Sequence, residues 1–566
     1  MLDKNEIASA LRETGLLLKA KGENAFKAKA YITGARTIER KADDIGELIE
    51  TERLTNLPGI GASLAKYITE LYSTGETRLL KQLRAELPPG TAELSQIEGL
   101  TLKRIKLLSE QLNISTIAQL AEACKEGKVA ELKGFGLKLQ GEILQSIASV
   151  EKSEDRIRLV DALELTDELV NYLIAALKTK SVAAAGAVRR WQEEVDKIVI
   201  VAQKPKSAIV KALGEFHFVL SVTATDDSVI AALSDGISVE VFSVENLSLG
   251  LAAHTGTAAH FEQLQKFAEQ RGVELSSANL KKGTRTIEVK DEEDVFKALK
   301  LNYIPPELRE GEGEVELAET DDFSDLLDID DIQGMTHCHS TFSDGVNSIE
   351  EMVRAAQKMG MSYITMTDHS PTAHYAGGLS VDRLKEQWEE IDRVQDLVKI
   401  KILKGTECDI LADGQLDYPD HILEKFDIII ASIHSRYKQN EESMTKRLLE
   451  GLRNPHFKVW GHPLGRLVLK RDPIPCNVPK ILEAIADAKV AIELNGDPYR
   501  MDLPPTWAKI ARELGLKFVV STDAHSTGNL HNLPFGIHMA RRAGIRKHQV
   551  LNTLPVDRFR KAVRTA

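Results

Sequence analysis

Cysteine is scarce in this 566-residue chain: Cys124, Cys338, Cys408 and Cys476 are the four, none in a C-x-x-C pair. That excludes a disulfide scaffold and argues against a thiolate zinc finger. No apolar run approaches the roughly 18 residues that a membrane span needs. The opening MLDKNEIASALRETG carries acids and has no apolar stretch like that of a secretory leader. A soluble chain in a reducing cytoplasm, with no membrane partner, is the expectation. Aromatic residues are only 5%, yet apolar residues at 43% and charged residues at 28% are ordinary for globular domains. A wholly disordered or fibrous chain is thereby excluded, and the length suggests roughly three to four domains.

A basic surplus is also missing, which would usually count against a nucleic-acid partner. The net charge of −12 is local, however. Residues 301–330 hold one basic and eleven acidic residues, whereas 1–150 hold 21 basic and 20 acidic. Segment 305–332, with Pro305, Pro306, Gly311, Gly313 and all eleven of these acids, reads as an extended, solvated linker.

What is plentiful is histidine in one place: twelve of fifteen lie in 333–566. There, β-rich runs (SYITMTD, DIIIASIH, FKVWGHP, KVAIELN, KFVVSTDAH) alternate with amphipathic helical stretches such as SIEEMVRAAQKMG. The alternation predicts a parallel α/β barrel with its chemistry at the C-terminal ends of the strands. His337 and His339, Asp344, His369, Glu407, His434, His462, Asp523 and His525 close these runs. An H-x-H pair in a strand puts both imidazoles on one face, about 7 Å apart along the backbone, within reach of one ion. A single such histidine is more often a packed core residue; a set at successive strand ends points to a metal centre. Imidazole with carboxylate suits zinc, manganese or iron, and several ions would activate water and neutralise a phosphoryl transition state.

H-x-H, SDG, TDHS, G-x-E, S-x-HS, GHP and TDAH, in this order, resemble the polymerase and histidinol phosphatase (PHP) domain family over roughly 333–566. The resemblance implies a distorted seven-stranded barrel that hydrolyses phosphoesters with two to three divalent ions, Mn²⁺ first and Zn²⁺ as an alternative. It makes His337, His339, Asp344, His369, Glu407, His434, His462, Asp523 and His525 the ligands, with His337, His339, Glu407 and Asp523 also catalytic. Arg466 is expected to join the catalytic group, and Arg436, Lys470, Arg471 and Arg500 are candidates to hold substrate phosphates.

Residues 1–150 read as short helices punctuated by glycine turns. Leu57-Pro58-Gly59-Ile60-Gly61 resembles a helix–hairpin–helix turn, whose backbone N–H groups hold a DNA phosphate without reading sequence. A second copy, IEGLTLKRIKLL, keeps Gly99 but has Glu98 and Thr101 where the family has Pro and Gly; a third, LKGFGLKLQGEIL, keeps Gly134 and Gly136. Lys66 and Lys103 are candidate phosphate contacts.

Residues 180–260 resemble the palm and thumb of family X DNA polymerases: GAVRRWQEEVDKIVIV stands at the palm strand, HTGTAAHF before the thumb helix. The resemblance thus spans the whole chain. It implies domains at 1–85 (helical), 86–152 (fingers-like), 153–245 (palm-like), 246–304 (thumb-like) and 333–566 (PHP), and puts Arg189 and Arg190 against DNA. Polymerase chemistry needs three carboxylates around two Mg²⁺ ions. Here Lys197 and Val199 occupy two of those positions, Glu240 the third, and Ala187 replaces the usual Ser. A slipped register would offer Glu194 and Asp196 instead.

The expectation is a monomeric DNA-binding enzyme acting at ends, gaps or primer–templates: a 3′-5′ exonuclease, with abasic-site incision or 3′-phosphate removal as extensions, and an inactive polymerase core. The alternatives are a gap-filling polymerase, a small-molecule phosphatase of the histidinol-phosphate kind, and a non-catalytic DNA-binding scaffold.

Overall fold

The structure, a computed structural model, describes residues 2, 4–23, 25–40, 45–57, 59–97, 99–154, 156–216, 219–233 and 236–563. Pro58 and Glu98 of the hairpin segments lie outside the described residues. The chain forms two compact units: residues 1–156 with 213–222 and 231–237, and residues 157–212 with 223–230 and 238–566. Among the described residues no helix is long and apolar enough to cross a membrane.

The described residues up to 154 in the first unit are helical. Capping residues and glycines punctuate its helices. Helix Ala62–Thr74 buries Leu64, Ile68 and Leu71 along one stripe and stops at Gly75, whose φ of 77° favours glycine. Thr77 then caps Arg78–Glu86 by accepting from Leu80 N–H, and Thr116 caps Ile117–Lys125 in the same way. One core gathers Ile7, Leu11, Ile38, Leu64 and Ile68; another gathers Ile97, Ile105, Leu108, Leu120 and Ile143.

The second unit begins with a palm-like sheet. Strand β1 (Val182–Ala185) pairs antiparallel with β2 (Lys197–Ala202), which pairs parallel with β3 (Ser238–Ser243). A thumb-like core follows, built on Leu249, Leu264, Phe267, Leu280, Val295 and Phe296.

The acidic segment is not the solvated linker expected from its charge. Val315, Ala318, Phe323 and Leu326 enter the thumb-like core, and Leu327 and Ile332 enter the barrel core. At least five of its acids are paired with basic groups from elsewhere. Glu307 meets His538 Nδ1 at 2.7 Å and Arg541 Nε at 2.6 Å; Glu310 meets Arg190 Nε at 3.1 Å; Glu314 meets His260 Nδ1 at 2.6 Å; Asp321 and Asp325 both meet Arg546 at 2.5 Å. A run of like charge therefore folds because its counter-charges come from elements distant in sequence.

One pair there is deeply buried. Arg309 is fully buried, 2.5 Å from Glu292 Oε1, and the same carboxylate takes a bidentate fork from Arg189 at 2.7 and 3.0 Å. Deleting one partner of such a pair strands an uncompensated charge. Glu292→Ala should therefore cost about 3–5 kcal/mol, seen as a lower urea midpoint; an unchanged midpoint would refute it.

The barrel comprises seven parallel strands in sequence order: β4 (Gly334–Cys338), β5 (Tyr363–Met366), β6 (Lys401–Asp409), β7 (Ile428–Ser432), β8 (Val459–Trp460), β9 (Ala491–Asn495) and β10 (Phe518–Ser521). Both faces of β7 are covered, so it reads as an unbroken apolar run. The ring draws nearly shut where Ala524 N–H donates to His337 O at 3.0 Å and His339 N–H donates to Ala524 O at 2.8 Å. Crossover helices are signalled locally: Ser348 and Glu351 form a capping box for Ile349–Lys358, which buries Ile349, Met352, Val353 and Ala356.

Candidate metal centre

Because every barrel strand runs the same way, residues at their C-terminal ends meet at one mouth. His337 is the penultimate residue of β4 and His339 follows the strand; His369 follows β5; Glu407 lies within β6; His434 follows β7; His462 follows β8; Asp523 and His525 follow β10. All nine expected ligands come together. Donor atoms of His337, His339, Glu407 and Asp523 lie within 4.8 Å of one another, as do those of His339, Asp344, His369 and His525, and those of His369, Glu407 and His434. Glu407 is the hub: one oxygen lies 3.0 Å from His369 Nδ1 and 3.3 Å from His337 Nε2, the other 2.7 Å from His462 Nε2 and 3.1 Å from His434 Nε2.

Buried polar atoms without partners are rare and each requires a cause. Six sit in this cluster: His337 Nε2, both nitrogens of His339, His369 Nδ1, His462 Nδ1 and Asp523 Oδ1. Cations among them would satisfy the lone pairs, so the donor set fits divalent metal. The electrostatics agree. Burial should raise the Glu407 carboxyl, yet His434, His337 and His369 hold it well below the usual range. Burial likewise opposes charge on His434, but Glu407 and Asp409 push it up to about 10. The side chains of Asp344 and His525 keep 32% and 34% exposure, which marks their side as the entrance.

The backbone at the mouth departs from regular strand geometry. His337, His462 and Asp523 have φ of 56°, 21° and 49°. Such conformations cost side-chain-bearing residues about 1–3 kcal/mol each and persist only where surroundings impose them. The His337 and His339 ring centroids lie 5.2 Å apart. Gly345 of the SDG motif has a different reason: a Cβ there would lie 2.7 Å from the His339 carbonyl carbon and the Ser340 nitrogen, so only glycine lets Asp344 close over the cluster.

Two carboxylates beneath the cluster went unrecognised in the sequence. Glu493, fully buried on β9, accepts from His337 Nδ1 at 2.5 Å and from His462 N–H. Asp409 takes His434 Nδ1 at 2.5 Å. Each fixes a ring so that the other nitrogen faces the centre. Their signal was period-two spacing, Glu407-x-Asp409 and Glu493-x-Asn495, which puts both members on the inner face of a strand. Glu493→Gln should weaken metal affinity about 10–100-fold while the fold survives; competition with a metallochromic chelator measures it, and wild-type affinity would sink the assignment.

The expected cations divide. Arg500 belongs to the centre, with Nε 3.2 Å from Asp523 Oδ2. Arg466 does not: it donates to Arg500 O at 3.0 Å, to Met501 O and to Glu193 Oε1 at 3.2 Å, so its guanidinium is consumed in holding backbone. Arg471 donates to Gly465 O at 2.8 Å and lies 4.3 Å from the centre of the Tyr437 ring. Arg436 is exposed beyond His434, and Lys470 is exposed on the Arg471 loop.

In the palm-like domain, Glu292, Thr255 and Glu310 take the guanidiniums of Arg189 and Arg190. Lys197 Nζ lies 2.5 Å from Glu240 Oε2, and Ser228 Oγ donates to the other oxygen at 2.9 Å. Val199 stands opposite Glu240 in the register and packs so close to Gly186 that a Cβ there would meet it at 2.8 Å. Ala187 packs against the barrel core. Glu194 belongs to a separate two-residue strand paired with Ile157–Arg158, and Asp196 is exposed before β2.

In the first unit, Gly59, Gly99, Gly134 and Gly136 have φ of 76°, 88°, 95° and 70°, conformations that glycine tolerates best. Gly61 is extended and caps Ala62–Thr74 without a side chain. Lys66 and Lys103 are exposed on the helices that follow their turns.

A nearly closed seven-stranded barrel with this cluster is a PHP domain, and the family of that description matches residues 336–497. The chain is thus a hydrolase acting on phosphoester bonds. DNA polymerase beta thumb matches 250–310, a helix-hairpin-helix domain 3–77, and a SAM-like helix-hairpin-helix tandem 91–148. Over 564 residues the chain is 33% identical to the DNA polymerase/3'-5' exonuclease PolX of Bacillus subtilis, covering 97% of each, and it belongs to the PolX family. It is also 34% identical over 237 residues to a probable phosphatase of Thermoanaerobacter sp., covering 38% of this chain and 89% of that one. A probable phosphatase of Caldanaerobacter subterraneus is 30% identical over 244 residues, covering 40% and 89%.

Proposed function

We propose that the chain is a metal-dependent nuclease that releases nucleotides from DNA 3′ ends in repair, and that its palm-like domain does not polymerise. The observation that carries this is the convergence of nine ionisable side chains on one barrel mouth, in a chain aligned along 97% of its length with a polymerase/3'-5' exonuclease. His337, His339, Glu407 and Asp523 would hold one ion, Asp344, His369 and His525 with His339 a second, and His434 and His462 with Glu407 a third. The ions, Mn²⁺ or else Zn²⁺, would activate water and offset charge building on the phosphoryl oxygens. Arg500 offers its guanidinium to a substrate phosphate oxygen, and Asp523 orients it. Glu493 and Asp409 hold the His337 and His434 rings in the tautomers that face the centre. Incision at abasic sites and removal of 3′-phosphates fall within the same chemistry. Gly59, Gly61, Lys66, Gly99, Lys103, Gly134 and Gly136 would grip the DNA backbone. The working divisions are 1–85, 86–152, 153–245, 246–304, 305–332 and 333–566.

The decisive experiment is a 5′-labelled primer bordering a one-nucleotide gap, incubated with Mn²⁺ beside a His337→Ala/His339→Ala variant. A descending ladder that disappears in the variant is the expected result. Turnover of p-nitrophenyl phosphate with intact DNA would instead favour a small-molecule phosphatase. DNA binding without hydrolysis of either would leave a scaffold.

A further inference from the structure

We propose that the palm-like domain, emptied of its metal carboxylates, serves the barrel instead, because Glu193 acts through Arg466 to set the position of Arg500 in the metal centre. Glu193 is then a positioning residue for hydrolysis. The inference rests on the reading of Arg500 as the cation that meets the substrate phosphate.

Arg500 sits in the loop after β9, where regular hydrogen bonding ends and Met501 has a φ of 43°. Three consecutive residues of this loop are held from outside. Tyr499 lies under the Arg158 guanidinium at 4.5 Å, and its carbonyl accepts from Val468 N–H at 2.8 Å. The carbonyls of Arg500 and Met501 both accept from Arg466. Two of these holds lead back to the palm-like domain. Arg158 is pinned there by Asp161 at 2.8 Å, and Arg466 is pinned by Glu193 at 3.2 Å.

Glu193 is shared: its other oxygen takes Arg542, which also donates to Gln192 at 2.7 Å. Beside them the Trp191 ring stacks on His538 with centroids 3.7 Å apart and meets Phe535 edge-on at 5.5 Å. One carboxylate thus separates two largely buried guanidiniums; burial would raise it, but Arg542 and Arg466 hold it down at about 2. Without that charge the guanidiniums repel, and Arg466 is freed to release the two carbonyls that fix the loop. Arg500 then loses its register against Asp523, although no metal-binding side chain has been touched.

A double-mutant cycle on the Mn²⁺-loaded full chain tests this, with bis(p-nitrophenyl) phosphate as substrate. Glu193→Gln is expected to lower kcat/KM about tenfold with wild-type metal content, and Arg500→Ala to lower it at least as far. In the Arg500→Ala background, Glu193→Gln should add less than about twofold, because both act through one group; Glu193→Asp should restore part of the loss. Losses that multiply, or a wild-type kcat/KM in Glu193→Gln, overturn the proposal. If Glu193→Gln melts below the assay temperature, Arg466→Lys replaces it in the same cycle. The nuclease reading fails separately, as an absent DNA ladder with this substrate still turned over.

Discussion

Glu407→Ala is expected to abolish phosphoester hydrolysis, by about a thousandfold or more, and to strip the protein of most bound metal. The oxygens of Glu407 reach both sides of the cluster, toward His337 and His369 on one and His434 and His462 on the other. Its loss leaves the imidazoles on those two sides without a common anion and removes a donor from two of the three groups that can hold an ion. Glu407→Gln should fail almost as badly, because it preserves volume and deletes charge. Metal content by elemental analysis, beside turnover of p-nitrophenyl phosphate, distinguishes this from unfolding, which circular dichroism would report. Near-normal turnover in Glu407→Gln would mean that the cluster is not the catalytic centre.

No template-directed extension should appear with the unmodified chain in either Mg²⁺ or Mn²⁺. At the palm-like site Lys197 is paired with Glu240, so a divalent ion approaching Glu240 would meet a cation already there. Two unit charges about 4 Å apart at an effective dielectric near 20 interact by about 4 kcal/mol, and a divalent ion doubles that repulsion. Lys197→Asp alone should not rescue synthesis, because Val199 still faces Glu240 across the register. Extension bands on a gapped primer–template that survive the His337→Ala/His339→Ala change would sink this reading and direct attention to Glu194 and Asp196.

The barrel was legible because a parallel strand followed by a polar cluster is a local pattern, and the ends of parallel strands share a mouth by topology alone. His434 and His462 needed no distance information to be placed together. Glu493 escaped notice because AIELN reads as an apolar strand, and the use of its carboxylate depends on His337, far away in the chain. Arg466 and Arg189 misled for the opposite reason: an arginine near a site motif advertises phosphate binding, while the acid that consumes it, Glu193 or Glu292, lies more than a hundred residues off in sequence. The acidic segment was misjudged in the same way, since composition counts its charges but not their partners. The left-handed backbone at His337, His462 and Asp523 leaves no mark in residue type at all.

The segment from 305 to 332 also bears on modularity. Its residues complete two cores, and Glu307, Asp321 and Asp325 pair with His538, Arg541 and Arg546 on the barrel. A cut before residue 333 would release a barrel with an unsealed apolar seam and a knot of unmatched positive charge. Transplanting this chain's centre into another host would therefore mean moving segment and barrel together.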